Sequence, residues 1–160
     1  GKADAGIQAL NTLFKSGAGF DPGDVLPILF DLQTIGRDKD AIPFFEAILN
    51  GSLQDEQRRQ LLYWTADSYK ALGDYNKAAE LYLRSATLTN PYSMDQWAQT
   101  SRYQAAKMLA KAGLTEDARR LYKGLLNATR DPARQAVLRH DIQQLLLTPD
   151  KQGASGAAPQ

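Results

Sequence analysis

Residues 61–86 read LLYWTADSYKALGDYNKAAELYLRSA. Apolar or small residues fall at Leu62, Thr65, Ala66, Tyr69 and Leu72, the spacing of one helical face. Gly73-Asp74 then interrupts the pattern, and a second stripe begins with Ala78, Leu81, Tyr82 and Ser85. Glycine suits the left-handed position that ends a helix, and aspartate is a good N-cap for the next. Two amphipathic helices joined this tightly pack antiparallel, as a helical hairpin.

The same signature recurs. Gly36 lies 37 residues before Gly73, with Ala41 and Phe45 standing where Ala78 and Tyr82 stand. Gly113 lies 40 residues after it, with Ala118 and Tyr122 in those places. First-helix positions follow too: Leu29 and Leu32 upstream, Ala106 and Leu109 downstream match Ala66 and Tyr69. The unequal spacing implies short insertions, the longer one around Asn90-Pro91-Tyr92-Ser93. A small residue admits a neighbouring helix closely, and the aromatic one turn on fills the adjoining gap.

On these residues the chain resembles the tetratricopeptide repeat, a helix-turn-helix unit of about 34 residues. It departs from the family pattern at Leu62, where the family has Trp, and at Ser85, where it has a smaller residue; Pro91 falls one place late. The resemblance implies an all-α fold, a right-handed α-α superhelix of about eight antiparallel helices. Three hairpins are expected over 22–127. Residues 1–20 form an N-terminal helix, either a free-standing cap or the second helix of a preceding repeat. Residues 131–147 form a C-terminal capping helix, the alternative being the first helix of a fourth repeat. Residues 148–160, rich in Gly, Ala, Ser and Pro, are expected to be a disordered tail.

Helix ends are expected from local chemistry. Asp24 serves as a cap with Pro27 in the first turn of the helix that follows, and Pro43 occupies the first turn of the next. The polar run from Leu53 to Arg59 extends the central helix by about a turn. Met94 to Ala112 and Thr115 to Asn127 form the third pair, and Asp131-Pro132 starts the last helix.

Composition narrows the function. The chain has 160 residues, no Cys, and 19 basic against 18 acidic residues. Disulfides and thiolate metal sites are excluded. The small net charge disfavours nucleic acid as a partner. No apolar run approaches the ~20 residues that span a bilayer, so direct membrane insertion is not expected. No leader is visible and Gly1 stands first, which reads as a cut-out or processed piece of a larger protein.

Catalytic chemistry finds no residue set. His140 is the sole histidine, and it has no partner at metal-ligand or acid–base spacing. Ser and Thr have no activating base, and no phosphate-cradling glycine motif occurs. The expectation is no enzyme, no cofactor and no metal.

The resemblance instead implies a concave groove lined by first helices that holds a partner peptide or protein. Register places Leu26 and Phe30 there from the first hairpin. Tyr63, Asp67 and Lys70 come from the second, and Tyr103, Lys107 and Lys111 from the third. The groove would be apolar at one end and basic-aromatic at the other. The alternative is that its aromatics pack between repeats, as Trp64 and Trp97 are expected to do. Family members that clamp acidic chaperone tails use Lys and Asn where Tyr63 and Asp67 stand, so that role is disfavoured. The second functional reading is a spacer or self-association domain, a homo-oligomer, within a larger bacterial envelope protein of the periplasmic secretion or assembly type.

Overall fold

The computed structural model describes residues 1–149, so the tail expectation from residue 150 onward lies outside the described residues. Eight helices and no strand make up the described chain: α1 (Lys2–Ser16), α2 (Pro22–Thr34), α3 (Asp38–Leu49), α4 (Asp55–Ala71), α5 (Tyr75–Thr87), α6 (Gln96–Lys111), α7 (Thr115–Ala128) and α8 (Pro132–Leu145). Each packs mainly on its neighbours in sequence. The result is an all-α helical-repeat solenoid.

Three of the connections share one turn. Gly36, Gly73 and Gly113 take φ of 74°, 79° and 81°. An L side chain at such a φ presses its Cβ against the following carbonyl. In each turn the next residue's N–H reaches back five positions: Arg37 donates to the Leu32 carbonyl (2.8 Å), Asp74 to Tyr69 (3.0 Å) and Leu114 to Leu109 (2.9 Å). This is the Schellman arrangement, which satisfies carbonyls the ending helix leaves open. Asp74 then caps α5 through the Lys77 N–H at 3.1 Å, as expected. Arg37 and Leu114 occupy the same place without a side-chain cap.

The first turns of three helices differ from expectation. α2 is capped by Asp21, whose carboxylate accepts from the Gly23 N–H at 3.0 Å, with Pro22 as the first helical residue. Pro27 therefore sits in the second turn. Pro43 does likewise, because α3 begins at Asp38 straight after the Gly36 turn. Each proline deprives a carbonyl four residues earlier of its donor. Those carbonyls belong to Gly23 and Lys39, both exposed, where water can serve them. α6 begins at Gln96 rather than Met94, since Asp95 caps it through the Ala98 N–H at 2.8 Å.

The small-then-aromatic pairs meet at the helix crossings. Ala41, Phe45, Ala78, Tyr82 and Ala118 have no exposed surface, and Tyr122 has almost none. Two apolar clusters join inside α4. Leu61 belongs to the one gathered from α1, α2 and α3, and Leu62 to the one gathered from α5 through α8. Adjacent residues on a helix point about 100° apart, so one helix can serve both. α8 covers the far end, burying Leu138 and Leu145.

Candidate functional site

The candidate groove side chains lie on α2, α4 and α6, and most are committed to contacts within the fold. Leu26 and Phe30 pack against the N-terminal cluster. The Phe30 ring meets Trp64 edge-on at 4.8 Å and lies 6.5 Å from Phe45. Tyr63 is half-buried, its ring 5.0 Å from Tyr82 and 5.3 Å from Trp97. Asp67 accepts a short hydrogen bond from the Tyr82 hydroxyl. Lys70 donates to Gln104 Oε1 at 3.4 Å, linking α4 to α6. The Tyr103 hydroxyl donates to Asp141 Oδ2 of α8 at 2.8 Å.

Only the lysines of α6 have loose ends. Lys107 Nζ lies 5.7 Å from the Tyr103 ring centre. Lys111 Nζ turns instead to Tyr75, at 5.3 Å, beside the α4–α5 turn. Each is a cation over an aromatic face, a weak contact where solvent is present. The candidate residues thus fall into three groups: an apolar pair at the α2 end, a Tyr63–Asp67–Lys70 strip in the middle, and a Tyr103–Lys107 pair with Lys111 set apart.

Burial tunes the titrating groups. Burial raises Asp67 above the usual carboxylate range, and the bond from Tyr82 only partly offsets it. Tyr63 is raised by the same cause, with the Asp67 charge adding to it. Tyr103 is pushed up to about 12, first by burial and then by its bond to Asp141.

Several polar residues outside the sequence expectations organise the surface next to this face. Arg59, 9% exposed, donates to Asp95 Oδ1 at 2.9 Å and lies 5.6 Å from the Trp97 ring centre. Trp97 Nε1 donates to Ser85 Oγ at 2.9 Å, and Ser85 in turn donates to the Arg59 carbonyl at 2.5 Å. Arg102, 7% exposed, donates to the carbonyls of Ser93 and of Pro91, the latter at 2.6 Å. Two buried guanidinium groups therefore pin the segment between α5 and α6, and Tyr92 stands 90% exposed at its tip. The sequence showed Arg59 only as the end of a polar run and gave no signal for Arg102.

Charge is unevenly spread, a signal that counting by segment would have found. Residues 1–95 carry 9 basic and 13 acidic side chains, and residues 96–149 carry 9 and 4. The α6–α8 end is basic. His140 lies exposed on α8. Among the described residues no group of His, Cys, Asp or Glu is placed to hold a metal ion, and no helix is long and apolar enough to cross a membrane.

The family described as Tetratrico peptide repeat matches residues 29–121, more than half of the chain. The chain belongs to the tetratricopeptide repeat family. No curated protein and no solved structure gave a match. Tetratricopeptide repeats generally mediate protein–protein interaction and typically act as non-catalytic scaffolds, so a protein partner is the general expectation for this chain. The matched span runs from Leu29 on α2 to Leu121 on α7 and holds all three Schellman turns.

Proposed function

We propose that this tetratricopeptide array is a non-catalytic scaffold that holds a peptide or protein segment against the face made by α2, α4 and α6. The hairpins α2–α3, α4–α5 and α6–α7 act as its three repeat units, with α8 as the cap. The observation that carries the reading is the state of the lysines on α6. Lys107 and Lys111 lie over aromatic rings, and the ion pairs of the α6–α8 region, Arg119–Glu116 and Arg120–Asp117, both lie on α7. Cations left over aromatic surface suit a partner that brings acidic and apolar groups together.

Tyr63, Asp67 and Tyr103 serve this reading as a preformed floor. Ring packing holds Tyr63, and hydrogen bonds hold Asp67 and Tyr103, which lowers the ordering cost of association. Truncating them would disturb the core, so the test falls on the lysines. Lys107→Glu/Lys111→Glu should lose a partner captured by the wild-type chain, while Arg120→Glu on the open side of α7 should keep it. Equal capture by all three would move binding off this face.

Self-association is the second reading, and the uneven charge favours it. An acidic α1–α5 part and a basic α6–α8 part complement each other between two copies. Sedimentation that depends on protein concentration and weakens with salt would support it over the first.

A further inference from the structure

Between α6 and α8 lies a cleft of about 370 Å³, walled by Tyr103, Leu125, Ala133, Val137 and Leu138, with Arg134 at its edge. That size falls within the ~300–1,000 Å³ of ordinary ligand pockets. Val137 on α8 is an apolar side chain left 50% exposed at this place. Two carboxylates are held by local hydrogen bonds: Asp131, at the cleft wall, caps α8 by accepting from the Ala133 N–H at 3.0 Å, and Asp141 accepts from the Tyr103 hydroxyl. Arg134 donates to a neutral partner, Gln99 Oε1, at 3.1 Å. Lys107 stands over the Tyr103 ring. An apolar hollow thus lies beside two cations that no carboxylate neutralises among the described residues, at the basic end of the chain.

We propose that this cleft seats one large apolar side chain of an acidic partner segment, with Arg134 and Lys107 meeting the carboxylates that flank it. The inference rests on the groove reading, because Tyr103 belongs to both surfaces. The division of labour follows from the physics. An apolar anchor buried in a hollow supplies most of the affinity of a short segment. The flanking charges steer encounter and choose sign, and salt screens them over about 10 Å at 0.1 M. A neutral apolar segment would fill the cleft but gain nothing from Arg134. A polyacidic segment without the anchor would be held only by screened charge.

The test is a titration of the isotopically labelled full chain, followed by amide chemical shifts, with three synthetic peptides. One has Leu at its centre and Glu on both flanks, its twin has Gly at the centre, and a third keeps Leu with Lys flanks. The first should shift amides of α6 and α8 around the cleft, and the other two should bind about tenfold more weakly. Ala133→Phe, an exposed position that would fill the cleft, should weaken the first peptide about tenfold, as should Arg134→Glu. Unchanged shifts elsewhere would verify that both variants fold. Shifts confined to α2 and α4, with Ala133→Phe without effect, would overturn the cleft assignment and leave the groove reading standing. No shifts, or shifts only on the open side of α7, would overturn both. Cleft shifts that grow with protein concentration in the absence of peptide would give the site to a second copy and overturn the acidic partner.

Discussion

Gly73 and Gly124 differ by conformation alone. Neither would bring a new Cβ within 4 Å of another group, but Gly73 has φ of 79° and Gly124 lies inside α7. Gly73→Ala should therefore destabilise by about 1–2 kcal/mol, and Gly124→Ala should stabilise by about 0.5–1 kcal/mol. Urea unfolding of the two variants checks both signs at once. Tyrosines give a second prediction at this scale. Tyr69 is pushed up to about 12, mainly by its bond to Glu46, and Tyr103 to about 12, mainly by burial. Burial raises Tyr82 and Tyr122 as well. A group whose folded pKa is raised adds stability in full below its unfolded value, here near 10, and loses it as pH climbs through the folded value. Ionisation of these four tyrosines should accordingly accompany loss of helix content above pH 10. Full ionisation of the tyrosines with the helices intact would contradict the burial described for them.

At the scale of elements, crossings and loops separate what the sequence discloses from what it hides. Ala78 and Ala118 sit at helix crossings with no exposed surface. Ala78→Leu or Ala118→Leu should cost about 1–3 kcal/mol through overpacking, read as a lower unfolding midpoint. Unchanged midpoints in both would mean that the helices do not cross there. These crossings, and the glycine turns between them, were legible because each rests on local chemistry that recurs: a residue free to take positive φ, then a small residue, then an aromatic one turn on. The two prolines lie a turn further in than their spacing implies: Asp21 rather than Asp24 caps α2, and α3 starts at Asp38 directly after the Gly36 turn. The segment joining α5 to α6 was legible as an insertion around Asn90-Pro91-Tyr92-Ser93, but what orders it was not. Its order comes from Arg102 and Arg59, whose bonds to Pro91, Ser93 and Asp95 depend on how two helices pack. Arg102→Met should leave those carbonyls without donors and cost about 1–3 kcal/mol. Limited proteolysis should then cut sooner near Tyr92. Cleavage at the wild-type rate would show that Arg102 does not hold the loop.

For the whole molecule, stability and interaction both follow from stacking helix on helix. Such arrays gain stability as a sum of neighbouring contacts, and α4 couples the two apolar clusters by sending Leu61 into one and Leu62 into the other. Family membership was legible from repeated spacing, whereas the environment of the candidate groove was not. Register places Tyr63, Asp67 and Tyr103 on one face. Only the packed structure shows that they are bound to Trp97, Tyr82 and Asp141. The net charge of +1 averages the basic α6–α8 end against an acidic remainder, so register disclosed that end only through Lys107 and Lys111. The central claim is that partners meet the face of α2, α4 and α6. A photo-crosslinking side chain placed in turn at Lys107, Lys111 and Lys123, in the full chain among its native partners, tests it most directly. Adducts from positions 107 and 111 but not from 123 on α7 are the predicted result. Adducts from 123 alone would contradict the account.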